Sequence, residues 1–194
     1  NYYACPMNGA FRHEPLPVFG DRLANIRSWW QRCTAVKAEG FLVTSWEAYR
    51  LVLETTTVVD AAAANLWLEP AQDDATGMLA RGLERMFKCK AARPLARGLL
   101  AADEHAFAGY ARWQINDRWD LFAGTESVKP YQAEERFFGR LAAGVGASPR
   151  ALAASVRFRH YLAQRDVFVR KAARDVFRLR RIGADRSGFS GQMN

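Results

Sequence analysis

Behind Gly40, the residues Phe41-Leu42-Val43-Thr44-Ser45-Trp46 form a short, β-rich and almost wholly apolar run. Such a run suits a strand buried on both faces, as in parallel sheets. The opening residues Asn1-Tyr2-Tyr3-Ala4-Cys5 read as the end of another strand. Between the two, Pro6 to Phe19 carries Pro6, Asn8, Gly9, Pro15 and Pro17, the composition of a loop. Asp21 then opens a helix to about Ala38, on which Leu23, Ile26, Trp30 and Cys33 recur at helical spacing, with Gly40 as its stop. Strand, loop, helix and strand make a βαβ unit, the repeating element of a parallel α/β fold. The two strands are therefore expected to lie side by side and parallel, with the helix packed over them by a right-handed crossover.

After Glu47 the pattern is helical. Segments are expected from Tyr49 to Leu53 and from Val59 to Leu68, the latter closed by Pro70. Asp73 and Asp74 open a helix reaching about Lys90, and Pro94 starts one running through Trp113 toward Trp119. Lys129-Pro130 breaks the chain, and Gln132 to Val145 forms a helix ended by Gly144, Gly146 and Ser148. Ser148 caps a last helix from Arg150 to Ile182, and Gly183 to Asn194 reads as a disordered tail. The expected organisation is an α/β part over residues 1–56, a helical region over 57–182 and the tail over 183–194.

Apolar residues make up 49% of the chain and charged residues 25%, the balance of a globular protein. The most apolar windows, Gly40 to Trp46 and Val58 to Leu68, are too short for a membrane span. Domains seldom begin inside a strand, so a partner strand before Asn1 is expected; a processed mature N-terminus is the other reading. Cys5, Cys33 and Cys89 lie too far apart for a metal or redox motif and are odd in number. Buried free thiols are expected, favouring a reducing, cytoplasmic setting. His13, His105 and His160 are scattered as well, so neither a metal nor a cofactor is expected. Residues 149–182 hold ten basic and two acidic side chains and carry the entire net charge of +8. Leu152, Val156, Val169, Ala173, Val176 and Phe177 give the same helix an apolar side, so a solvated basic face on a packed helix is the plainer reading and nucleic acid an unlikely partner.

Trp46 and Glu47 stand at the C-terminal end of the apolar strand, where α/β barrels build their sites. A Trp offers a flat apolar face and a neighbouring carboxylate accepts hydrogen bonds from hydroxyls, the composition of a sugar site. The plainer alternative is a core Trp beside a solvated Glu. The carboxylate pairs Asp73-Asp74, Asp103-Glu104 and Glu134-Glu135 each fall near a helix start and are read as helix-end charges. Tyr110, Trp113, Arg118, Trp119 and Asp120 are read as helix packing with a paired rim.

The run G-F-L-V-T-S-W-E-A-Y-R over 40–50, with Ala10-Phe11-Arg12 and Leu23-Ala24-Asn25 leading into Trp29, resembles the last barrel strand and preceding loop and helix of glycoside hydrolase family 20, in its hexosaminidase D-like branch. The residues carrying the likeness are Gly40, Thr44, Trp46 and Tyr49, and it covers about residues 1–70.

The resemblance implies an α/β chain made of the C-terminal βα units of a (β/α)₈ barrel, strands seven and eight, followed by a mostly helical extension. It implies a β-N-acetylhexosaminidase-like activity of a parent protein, with carbohydrate as substrate and the rest of the barrel preceding Asn1. Trp46 would be one wall of the pocket for a terminal N-acetylhexosamine, with Glu47 and Tyr49 beside it. A substrate-binding Tyr on the seventh strand would match Tyr2 or Tyr3, of which Tyr3 is taken. A Glu two residues beyond the Trp binds hydroxyls in the family; here that position is Ala48 and the Glu is Glu47. The family's catalytic Asp-Glu pair follows a fourth strand that this chain lacks, so the fragment alone is expected to be inactive. The alternative function is a helical module whose basic last helix binds an acidic partner or nucleic acid.

Overall fold

The structure, a computed structural model, describes residues 2–9, 15–45, 53–68, 74–105, 127–146 and 150–190. Strand β1 (Tyr3–Ala4) pairs in parallel with β2 (Gly40–Phe41), with Tyr3 opposite Gly40 and Ala4 opposite Phe41. Backbone bonding runs on past these short strands. Glu39 donates to Tyr2, Leu42 to Ala4, Thr44 to Pro6, and Asn8 back to Thr44, at 2.8–3.1 Å. A parallel bridge joins Met7 to Thr44. Helix α1 (Phe19–Ala35) connects the strands and packs on both. The parallel βαβ unit expected from the sequence is present.

Its burial differs from expectation. Ala4 is buried, and Phe41 and Val43 pack against the core, while Tyr3 and Leu42 are 68% and 64% exposed. The strand pair is therefore covered on one face, not on both. Alternation of side chains along a strand makes this an all-or-none division between faces.

Helix α1 also starts and stops differently. Asp21 does not cap it; that residue is exposed, with Arg22 at 3.6 Å. The cap comes from Asp103, whose carboxylate accepts from the backbone N–H groups of Phe19 at 2.8 Å and Gly20 at 2.6 Å. At the other end, Lys37 turns the chain with a positive φ of 51°, so the helix ends before Gly40. Gly40 instead lies under an aromatic ring: a Cβ there would sit 2.3 Å from Tyr3 Cδ1.

The remaining elements are α2 (Leu53–Ala63), α3 (Asn65–Leu68), α4 (Ala75–Phe87), α5 (Ala92–Ala101), a 3-10 turn (Ala102–His105), α6 (Lys129–Gly144) and α7 (Arg150–Ser190). Asp74 caps α4 by accepting from Gly77 N–H at 2.7 Å. Pro94 sits in the first turn of α5 as expected, but this helix stops at Ala101 rather than continuing toward Trp119. The tighter 3-10 turn that follows is where Asp103 reaches back to α1. Lys129-Pro130 opens α6 instead of breaking the chain, since a Pro in the first turn forfeits no helical hydrogen bond. The helix α7 runs to Ser190, eight residues into the segment expected as tail. Gly183 does not stop it; a Gly inside a helix costs only about 1 kcal/mol.

One hydrophobic cluster joins Phe19, Leu23 and Ile26 of α1 with Val58 and Val59 of α2, Leu79 and Leu83 of α4, Leu99 of α5, Phe138 of α6, and Leu152 and Val156 of α7. The expected division at residue 56 falls inside α2 and does not separate two cores. Among the described residues, no helix is long and apolar enough to cross a membrane.

Burial of the capping carboxylate has a consequence for pH. Desolvation pushes the pKa of Asp103 up to about 6, against the lowering effect of its two backbone donors, with Asp21 adding repulsion. A carboxyl whose folded pKa lies above its unfolded value binds its proton more tightly when folded. Its contribution is full below the ordinary value of 3.8 and is lost as pH rises through about 6. Allowing for solvent screening at this partly exposed group, the loss is on the order of 1 kcal/mol. Urea unfolding of the wild type should show stability falling across this window, and Asp103→Asn should flatten the fall. An unchanged slope in the variant would remove Asp103 as its source.

Candidate functional site

Parallel strands place the chemistry of an α/β unit at their C-terminal ends. Here that end holds Met7, Asn8 and Gly9 after β1, and Thr44 and Ser45 after β2. The loop after β1 is tied down from two sides. Arg22 of α1 donates through Nε to the Gly9 carbonyl at 2.7 Å, and Thr44 Oγ1 donates to the Pro6 carbonyl at 3.2 Å.

Asn8 is buried, and its Nδ2 donates to Asp60 Oδ1 at 2.6 Å. Asp60 comes from α2, fifty-two residues away. Burial raises its pKa, and the Asn8 hydrogen bond acts in the opposite direction. Among the described residues, two buried oxygens at this strand end, Asn8 Oδ1 and Ser45 Oγ, have no hydrogen-bond partner. Buried polar atoms are nearly always paired, so such orphans mark a place for a ligand group or water. Asn8 and Asp60 thus form a polar pair at this strand end, and Ser45 Oγ is a second unsatisfied oxygen there.

Of the expected site residues, Tyr3 is displaced from this end. Its ring lies over Gly40 and its hydroxyl donates to Glu39 Oε2 at 3.1 Å. It stands at the start of the strand pair, about 13 Å along the sheet from Thr44 at ~3.3 Å per residue. Its role is to cover a glycine, a packing device between neighbouring strands. Trp46, Glu47 and Tyr49 lie outside the described residues, as do Ala10-Phe11-Arg12 and the aromatic segment from Tyr110 to Asp120.

Asn8 and Asp60 were not among the expected site residues. Asn8-Gly9 carries the ordinary signature of a turn. The one available signal was Asp60 itself, a lone acid in the apolar stretch Val58 to Ala64, where an unpaired charge is costly.

Elsewhere the charged groups serve packing. Glu134, expected as a helix-end charge, is buried and accepts from Arg159 Nη2. Arg159 also donates to the His105 carbonyl at 2.9 Å and lies over the Phe138 ring at 4.5 Å. Arg170 stacks on Tyr131 at 3.3 Å and is buried. Two cations of the basic α7 are thus withdrawn from its solvated face. Conversely, Val176 and Phe177, expected on its buried side, are 50% and 43% exposed, because this part of the helix extends beyond the core. The cysteines are free; Cys5 is exposed rather than buried, and Cys33 and Cys89 are half-buried. Among the described residues no cluster of His, Cys, Asp or Glu side chains is placed to hold a metal ion.

An apolar cleft of about 310 Å³ lies between α5 and α6, lined by Pro94, Leu95, Gly98, Phe137 and Leu141, with Arg140 the one charged residue among the described residues that line it. It lacks the converging polar groups of the strand-end site. No family model, curated protein or solved structure matches the chain.

Proposed function

We propose that this chain supplies the last two βα units and the helical extension of a barrel glycoside hydrolase that removes terminal N-acetylhexosamine residues. The observation that carries the reading is the one-sided burial of a parallel strand pair. The covered face has its helix, as the outside of a barrel does, and the open face bears Tyr3, Gly40 and Leu42. Sequence parity assigns Thr44 to that same open side, toward the interior of a closed barrel, where the family likeness implies the sugar-facing Trp46. The unsatisfied Asn8 and Ser45 oxygens lie at the site-bearing end, and Ser45 immediately precedes the Trp46-Glu47 pair.

In this reading Trp46 stacks on the apolar face of the sugar with Glu47 beside it, while Asn8 and Ser45, on the covered side with Ala4, Phe41 and Val43, support the strand end from behind. Asp60 holds Asn8 in place through the 2.6 Å bond. Tyr49 is retained beside Trp46 as a contact implied by the family likeness. The catalytic acid lies outside the chain, so the chain by itself does not hydrolyse an N-acetylhexosaminide.

The test uses the chain within a complete barrel. Trp46→Ala removes a stacking surface worth ~2–4 kcal/mol by analogy with aromatic hot spots. An aryl N-acetylhexosaminide should then be hydrolysed with kcat/KM reduced roughly 30- to 1000-fold. Trp29→Ala on α1 is the control, since Trp29 is 41% exposed on the covering helix and stacks with Arg32 at 5.4 Å. Hydrolysis at the parental rate by a folded Trp46→Ala protein would make Trp46 a core residue and end the proposal.

A further inference from the structure

The outward side of α7 carries a second pattern, unrelated to sugar chemistry. Phe158, Tyr161, Phe168, Leu179 and Ile182 are 51%, 62%, 70%, 67% and 45% exposed. With Arg165, Ala172 and Asp175 they recur at alternating spacings of three and four, the a and d positions of successive heptads. Leu152, Val156, Leu162, Ala163 and Val167, buried in the core, occupy the opposite side of the same helix. The stripe is thus an exposed, largely apolar seam roughly 36 Å long, at 1.5 Å per residue.

We propose that this seam is a dimer interface, and that its partner is α7 of a second copy of the chain running antiparallel. The charges decide both points. A two-fold axis at residue 170 sets Arg165 against Asp175 of the other copy, and the same axis brings every other seam position onto a complementary one. Phe168 then meets Ala172, Tyr161 meets Leu179, and Phe158 meets Ile182, a large side chain against a smaller one in each layer. A parallel pair would stack Arg165 on Arg165 and Asp175 on Asp175, like charges in an apolar seam. Residues 174–182 are exposed on all sides, and the same axis sets them against residues 158–166 of the other copy, whose core side chains Leu162 and Ala163 lie on the opposite side of the helix. Arg165 keeps its own-chain bonds to Asp166, at 2.6 and 3.0 Å. Lys171 approaches its copy beside the two-fold, a cost that a long side chain relieves by extending its ammonium into water. The interface goes beyond the proposed activity and does not depend on it.

Sedimentation velocity on the full chain tests the proposal. At micromolar concentration the wild type is expected at twice the chain mass of 21.8 kDa. Asp175→Arg places Arg against Arg165 twice per dimer and should raise the dissociation constant at least about tenfold. The double variant Arg165→Asp with Asp175→Arg restores opposite charges only in the antiparallel register and should recover the dimer. Tyr161→Glu with Leu179→Lys repeats the exchange at two exposed positions: Tyr161→Glu alone should dissociate the dimer, and the pair together should re-form it. Circular dichroism confirms that each variant remains helical. A monomeric wild type, an Asp175→Arg protein that associates like the wild type, or failure of both folded double variants to recover would overturn it. So would a monomer whose seam instead binds phosphatidylserine vesicles.

Discussion

Arg159→Ala is expected to destabilise the protein by about 3–5 kcal/mol, because it removes one partner of a buried ion pair and strands the other. Arg159 and Glu134 are 1% and 4% exposed, so water cannot take over the broken contact. The guanidinium also holds the His105 carbonyl at 2.9 Å, at the end of the turn that carries Asp103. Its loss therefore loosens both the α6–α7 packing and the segment that caps α1. Replacing both partners with apolar residues of similar volume, Arg159→Met and Glu134→Leu, should cost far less than the single change, since no charge is left unpaired. Urea unfolding of the two single variants and the double variant measures this directly. A loss below about 1 kcal/mol for Arg159→Ala would mean that the core does not depend on the pair.

Gly82→Ala is the second large effect expected. A Cβ at Gly82 would lie 2.6 Å from Ala62 N, 2.8 Å from Ala61 C and 2.9 Å from Ala62 Cα. All three are backbone atoms of α2, and no rotamer change can move them aside. The helices α2 and α4 must separate, which opens the cluster around Val59, Leu79 and Leu83. Overpacking of this kind costs ~1–3 kcal/mol or more, against a gain of about 1 kcal/mol from replacing a helical glycine. The control is Gly183→Ala in α7, where nothing lies within 4 Å and the propensity gain stands alone. The two glycine-to-alanine changes should therefore shift the melting temperature in opposite directions. A Gly82→Ala protein as stable as the wild type would show that the α2–α4 contact adjusts freely.

The strand-end site shows how far local pattern reaches. Thr44 and Ser45 belong to the legible run behind Gly40, and the parallel pairing of that run with Tyr3–Ala4 follows from the helix between them. Asn8 and Asp60, by contrast, are joined by a side-chain bond across fifty-two residues. Neither residue has a local partner to announce it, and Asn8-Gly9 satisfies turn chemistry without any site. Residue type and strand position point to Tyr3, but register pairs it with Gly40 at the far end of the sheet.

Period and capping chemistry by themselves determined the βαβ unit, the Asp74-capped α4 and the long last helix, because these depend on neighbours within a few residues. Tertiary structure decided what a one-dimensional pattern leaves open: which face of the strands is covered, that Asp103 caps α1 from eighty-four residues away, and that Glu134 pairs with Arg159. It also decided which of the two apolar sides of α7 enters the core. Helical spacing defines a face, but only the packing of distant segments chooses the face that leaves water.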